Sequence, residues 1–424
     1  MLESARGFWK LPDLRKKILF TIFIIAVYRF GAAVPVPGVN VDILQKIFAQ
    51  QGGSILEFLN LLSGGALARF AVFALGIMPY ITASIIMQLL RVVIPKIDQW
   101  AKEGEAGERK ITQWTRFMTL ILAIVESVGY TFLFQAQLIN AKIGGFTGFT
   151  NFNKFLIIMT LVTGTVLIMW LGELITQRGI GNGMSIIITI SVLSAFPTAF
   201  VQIARINPVY LGLAIVVIVA MVVAVVIMEQ GQRRVPVQYA KRVVGRKMYG
   251  GSNTYIPLKM NSAGVIPIIF ASALLIFPAQ VAQYFKGPVA VFLQTLFNPN
   301  SAYYLGMFAL LVVFFTYFYT SITFNPKDTA DNLKKYGGFI PGVRPGRATA
   351  EYINNILTRI TLPGAIFLAF LAILPNIIFG ALNLQTAIGA FGGAAILIIV
   401  GVSLETVRQL ESQLVMRHYK GFLK

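Results

Sequence analysis

Cysteine is absent from this sequence, and histidine occurs once, at His418. The first absence excludes disulfides, thiolate metal sites and cysteine nucleophiles. The second removes the usual histidine metal clusters and histidine-based catalytic triads. Charge is scarce as well, at 12% of residues, against roughly 25% in an ordinary soluble domain. No Walker A loop is present, and the glycine-rich run Gly179 to Gly183 lies between two apolar segments, without the strand a dinucleotide fold requires. It reads as a tight turn. No cofactor and no metal are expected, and nothing points to an enzyme.

What the chain has instead is apolar length. Hydrophobic residues make up 56% of it, in runs of roughly 18 to 22 residues that each suffice for a helix to cross a hydrocarbon core about 30 Å thick. Ten such runs can be drawn, at 18–36, 71–90, 117–136, 155–175, 184–201, 209–228, 264–285, 303–324, 361–380 and 388–406. The first is too long for the apolar core of a cleavable signal peptide and leads into a proline-containing loop, so it is expected to be retained. The basic residues orient the set, because Lys and Arg collect in cytoplasmic loops. Arg6, Lys10, Arg15, Lys16 and Lys17 precede the first run, and further groups fill the segments 91–116, 229–262 and 325–359 and the carboxyl tail. Both termini are thereby placed in the cytoplasm, and most of the net charge of +20 follows from this bias without a nucleic-acid partner.

Ten spans divide into five and five, which gives an N-terminal half at 1–205 and a C-terminal half at 206–424. An odd number per half forces opposite orientations, so related halves form an inverted repeat. The second span of each half carries the same interruption, Gly76-Ile77-Met78-Pro79 in one and Gly264-Val265-Ile266-Pro267 in the other. Proline removes a backbone donor and crowds the preceding turn, so each helix should bend or loosen there. Paired weak points in inverted halves point to a transport path, whereas a single proline kink is commonplace in a membrane helix. Between spans one and two, the stretch Ser54 to Gly65 is too short to cross. Ser54 with Glu57 makes a capping box and Gly64 is a carboxyl cap, so a helix of about ten residues is predicted. It is either a re-entrant plug or an amphipathic helix lying in the outer interface.

The path offers little charge. Glu126, Glu173, Glu229, Glu405 and Arg29 fall within or near spans, but no two of them share a helical face as an ion site would require. Snorkelling or one buried pair accounts for most of them. Beside the breaks stand Ile77, Ile81 and Ile269, which can seal a pore by excluding water but cannot coordinate an ion. A secondary solute transporter with inverted repeats is the alternative, and it would place polar ligands at the midplane. The segments 229–262 and 325–359 carry paired basic groups, and the turn formers around Gly342 and Gly346 present Arg344 at a loop tip suited to a phosphate or carboxylate partner.

Long motifs then carry a resemblance over essentially the whole chain: GIMPYITASIIMQLL from Gly76, KEGEAGERKITQWTR from Lys102, WLGELITQRGIGNGMSII from Trp170, GQRRVPVQYAKR from Gly231, AGVIPIIFAS from Ala263 and FNPKDTADNLKKYGGFIPGVRPG from Phe324. The sequence closely resembles the SecY family of protein-translocase pore subunits. The resemblance implies an all-α membrane protein of ten transmembrane helices in two inverted five-helix halves, with a short re-entrant plug helix. It implies an apolar pore ring at Ile77, Ile81, Ile188, Ile269 and Ile398, with Met184 where a relative has isoleucine. The plug matches Ser54 to Gly65, including Glu57, Phe58, Asn60, Leu61 and Gly64. The lateral gate matches the two broken helices at Pro79 and Pro267, with Thr82, Ser84, Gln88 and Asn261 along them. Arg246, Lys247 and Arg344 would receive the SecA motor ATPase or a ribosome, whose RNA suits basic tips. The implied partners also include the SecE and SecG subunits, secretory preproteins with their signal sequences, and membrane lipids. The implied setting is the plasma (inner) membrane. Unfolded secretory chains would be threaded through the ring and hydrophobic segments released sideways into lipid, with the energy supplied by the cytoplasmic partner.

Overall fold

The structure is a computed structural model, and it describes residues 12–37, 39–50, 55–134, 142–143, 146–147, 151–239, 242–244, 247–249, 254–282, 288, 292, 295–297, 301–382, 384 and 390–421. In chain order the helices begin with α1 (Pro12–Ala33), α2 (Val41–Gln50), α3 (Ile55–Leu62), α4 (Met78–Val93), α5 (Pro95–Lys102) and α6 (Glu105–Leu133). A short ribbon, β1 (Lys142–Ile143) and β2 (Phe146–Thr147), leads to α7 (Asn151–Arg178), α8 (Gly183–Leu193), α9 (Phe196–Ile206) and α10 (Pro208–Gln230). Then come β3 (Gln232–Tyr239), β4 (Arg242–Val244), β5 (Lys247–Tyr249), β6 (Thr254–Lys259), α11 (Ile266–Ala282), α12 (Ala302–Thr323), α13 (Pro326–Lys335), β7 (Gly338–Phe339), α14 (Arg347–Ala381) and α15 (Gly393–Gly421).

Among the described residues, seven helices are long and apolar enough to cross a membrane: α6, α7, the joined pair α8 and α9, α10, α12 running on into α13, α14, and α15 as far as Leu414. The broken pair α4 and α5, bent by 103°, would make an eighth. Helix α10 shows what faces lipid: Val209, Val216, Val219, Val223 and Ile227 are all more than half exposed, as expected where hydrocarbon replaces water around the chain.

Local chemistry sets the helix ends. The turn between α7 and α8 is the predicted glycine turn, with Gly181 at φ +73°. The Asn182 side chain caps α8 by accepting from the amides of Met184 at 3.0 Å and Ser185 at 3.3 Å. Helix α6 starts behind Gly104 at φ +70°, with Glu105 and Glu108 in its first turn, where the helix dipole favours negative charge. At the sharp bend, Pro95 opens α5. Lys102 donates to Asp98 at 2.7 Å and Arg91 lies 3.5 Å from the same carboxylate. The hydrogen bond from Lys102 holds Asp98 below the ordinary carboxylate range.

The chain divides into two compact units, 1–215 with 378–424 and 216–377. In the first, α8 packs against α7, α15, α3 and α1, and Phe391 stands 4.8 Å from the rings of both Phe196 and Phe200. In the second, α11 packs on α12, and a three-stranded antiparallel sheet of order β6-β3-β7 packs against α14. Hydropathy gave no sign of that sheet. Val235 pairs with Ile256 and Val237 with Thr254, while Gln238 pairs with Phe339. Val235, Val237 and Leu258 point into a core completed by Ile340, Ile353 and Leu357. The alternating burial along β3 is the period-two pattern of a half-covered strand.

Candidate functional site

The segment linking the short helix α3 to α4 is tied to itself and to its neighbours. Ser63 donates its hydroxyl to the Asn60 carbonyl at 3.0 Å and accepts from the Leu67 amide at 3.1 Å, and the Asn60 side chain accepts from the Ala68 amide at 2.8 Å. Gly64 and Gly65 follow at φ +68° and +83°, a left-handed conformation that glycine adopts without steric cost. Gly64 is thus the carboxyl cap that the sequence indicated. Leu59, Leu61 and Leu62 are buried. Ser54 and the side chains of Glu57 and Phe58 lie outside the described residues.

Beyond this turn the backbone crosses to α1. The Val36 amide donates to Phe70 O and the Val72 amide to Val34 O, each at 2.9 Å, forming a bridge between Pro35 and Ala71. Phe70, fully buried, sits at φ +45°. A bulky residue persists in that region only where its surroundings over-determine it, and here its ring meets Phe134 edge-on at 5.8 Å.

The two Gly-x-x-Pro motifs do not kink continuous helices, as the sequence reading anticipated. They start helices. Gly76 at φ +58° precedes α4 and Gly264 at φ +62° precedes α11. The first turns match: Ile77 O accepts from the amides of Tyr80 and Ile81, both at 3.1 Å, and Val265 O accepts from Ile268 at 3.1 Å and Ile269 at 3.3 Å. Proline lacks a donor, and a first turn has no use for one there. The lower-numbered parts of the predicted runs, 72–77 and 264–265, are turns.

Of the ring candidates in the first unit, Ile77, Met184, Ile188 and Ile398 are buried and Ile81 is half-buried. Met184 and Ile188 lie on α8, and Ile398 lies on α15, which packs against it. Ile269, in the second unit, is half-buried on α11. Of the gate candidates, Pro79 and Pro267 are buried in the first turns of α4 and α11, and Thr82, Ser84 and Gln88 are half-buried along α4. Asn261 is buried, and its amide donates to Glu229 at 2.5 Å and to Gly264 O at 3.0 Å, joining the end of α10 to the start of α11.

Glu173 is ion-paired, but the pair is not buried as anticipated: the Arg116 side chain is exposed and that of Glu173 only partly covered. Arg116 on α6 grips it on α7 with two bonds of 2.6 and 2.7 Å, the bidentate geometry that gives a guanidinium–carboxylate pair its strength. Arg344 is exposed between Gly342 at φ +81° and Gly346 at φ +102°, and its carbonyl accepts from the Thr349 hydroxyl at 2.9 Å. Arg246 and the side chain of Lys247 lie outside the described residues.

Each unit therefore has a glycine-led helix start with isoleucine beside it, and the second also carries an exposed basic tip. A SecY family model matches residues 71–407. The chain belongs to the SecY family. With that membership comes the family's function, protein translocation through a membrane channel. Among curated relatives, the chain is 47% identical to the protein translocase subunit SecY of Mycobacterium bovis, with both proteins covered in full. It is 48% identical, again over the full length of both, to that of Streptomyces galbus. Its fold is similar to a solved structure of a protein-conducting channel, with TM-score 0.63, 19% identity and coverage of 95% and 93% of the two chains. It is also similar to Sec61 in a canine ribosome–channel complex, with TM-score 0.59, 16% identity and coverage of 95% and 93%.

Sequence reasoning passed over Tyr28 and Ser191, which meet the turn after α3. The one available signal was the neighbouring Arg29, a cation inside an apolar run.

Proposed function

We propose that this chain crosses the plasma membrane ten times, with both termini in the cytoplasm and with 1–205 and 206–424 as inverted halves. Helices α1, α4 and α11 supply the three spans beyond the seven of obvious length, and α3 is the plug. Ile77, Ile81, Met184, Ile188, Ile269 and Ile398 form the apolar ring through which an unfolded secretory chain is threaded. Bulky aliphatic groups exclude water around a passenger of any sequence, so the ring seals without selecting. The helices that begin at Pro79 and Pro267 serve as the lateral gate, carrying Thr82, Ser84, Gln88 and Asn261, and signal sequences and transmembrane segments leave through it into lipid. The observation that carries this reading is the matched pair of helix starts, with the same cap geometry at Ile77 and Val265. Half-helices at corresponding places in two repeats mark a transport path.

The chain acts as a channel subunit, with SecE and SecG beside it. Its energy comes from the SecA motor or a translating ribosome docked at Arg344 and the neighbourhood of Arg246 and Lys247. Similar channels seen bound to ribosomes support the ribosome as a partner.

The absence of cysteine makes the test direct. Ile77→Cys, in a complex stalled with a precursor bearing a thiol-reactive probe, is expected to form an adduct that Cys placed at lipid-facing Val219 does not. Equal labelling at both positions, or none at position 77 in a transport-competent complex, would reject the ring.

A further inference from the structure

Arg29 is a cation within the apolar run of α1, and among the described residues no carboxylate lies within ion-pair distance of it. Its Nη1 instead donates to the carbonyl of Gly64 at 3.2 Å. The adjacent Tyr28 is 1% exposed and stacks on Phe73 at 5.8 Å. Its hydroxyl lies 2.6 Å from the hydroxyl of Ser191 on α8 and 3.3 Å from the carbonyl of Ser63, and Ser191 lies 2.8 Å from Ile187 O. With one proton on each hydroxyl, either Tyr28 donates to Ser63 O while Ser191 donates to Tyr28, or Tyr28 donates to Ser191 while Ser191 donates to Ile187 O. Two successive carbonyls at the end of α3 are thus held by two successive side chains of α1, with α8 behind one of them.

The fit leaves no slack. A Cβ at position 64 would come within 2.9 Å of Arg29 Nη1 and 3.2 Å of Ser191 Cα. A Cβ on Gly76, the residue before Ile77, would come within 3.1 Å of Ser63 Cα. The turn that ends α3 therefore lies close against Gly76, two residues before α4 begins.

A purely structural brace would not be built this way. Apolar side chains of the same volume hold such a joint without desolvating part of a guanidinium, as the part-buried Arg29 does. A guanidinium on neutral carbonyls has water as its alternative partner, and once water reaches the joint that alternative competes with the protein bond.

We propose that Tyr28, Arg29 and Ser191 form a water-releasable catch that holds the turn after α3 in the sealed position. The inference rests on the reading of α3 as the plug, and it assigns three positioning residues to that plug. Opening breaks the bonds to Ser63 and Gly64, and the contact between Ser63 and Gly76 passes the displacement to Ile77. Water entering the opened region then solvates Arg29, so the first step of opening favours the next.

The test is the ion leak of idle channels in proteoliposomes containing the complete translocase. Tyr28→Phe, Ser191→Ala and Arg29→Gln are each expected to raise the leak roughly three- to ten-fold, the population shift that follows from losing one hydrogen bond of this class. Arg29→Lys, which keeps a donor and a charge, is expected to stay near the wild-type leak. Deletion of residues 55–62 is the reference. A leaking deletion with all three variants at the wild-type level overturns the catch and leaves the plug standing. A deletion that does not leak overturns the plug and the catch with it. Thermal unfolding identifies any variant that merely fails to assemble. Tyr28→Phe, which keeps the ring on Phe73, carries the test if Arg29→Gln is such a variant.

Discussion

At Gly164 a single carbon is excluded. A Cβ there would stand 1.9 Å from the carbonyl oxygen of Val72, in backbone that also bonds to Val34. Neither side has a flexible end to move aside, so Gly164→Ala is expected to cost about 1 to 3 kcal/mol and to lower the midpoint of thermal unfolding in detergent, with Gly212→Ala, which meets nothing within 4 Å, as the neutral control. Nothing near Gly164 in the sequence distinguishes it from other small residues in membrane spans, because the group that crowds it lies about ninety positions away. Arg29 was legible for the opposite reason: a charge in an apolar run is costly wherever it occurs. What it bonds to was not legible, since its partner is a backbone carbonyl and every residue has one.

Among the elements, the hydropathy runs located the long spans and missed how two of them begin. Proline inside an apolar run reads equally well as a kink or as a first turn. The conformation of the preceding glycine decides between them, and a positive φ leaves no mark in composition. Strand β3 escaped for a different reason. Its buried valines alternate with Arg234 and Pro236, a pattern that gains meaning only from the strands beside it, and β7 lies about a hundred residues further on. Val237 is 1% exposed in the core that joins the two segments. Val237→Asp is therefore expected to destabilise that small core by about 3 to 5 kcal/mol. Limited proteolysis should then cut 232–259 and 338–343 much faster, while the protected spans survive. Unchanged cleavage would show that the sheet does not hold the two segments together.

For the whole molecule, composition and the distribution of Lys and Arg established the class, and the long motifs established the family before any coordinate was known. The relation between the two compact units is not written in either. The exposed tip at Arg344 belongs to this scale because the role proposed for it is toward another molecule. Arg344→Glu is expected to leave assembly and thermal stability within about 0.5 kcal/mol of wild type, as an exposed surface change does, and to reduce partner-driven precursor transport by roughly ten-fold or more. Rescue by Arg344→Lys should be incomplete if a bidentate contact is used. Normal transport by the charge-reversed chain would remove Arg344 from the docking surface.

The sheet that joins β3 to β7 also sets a schedule. Val235 and Val237 lie between Gln232 and Tyr239, but three residues that cover them, Ile340, Ile353 and Leu357, are synthesised only after α11 and α12. During its own synthesis the chain carries a strand pair with a half-built core until Leu357 emerges. A chain truncated before β7 therefore lacks Arg344 as well as the three residues that cover these valines, and the docking surface proposed there would be completed late in synthesis.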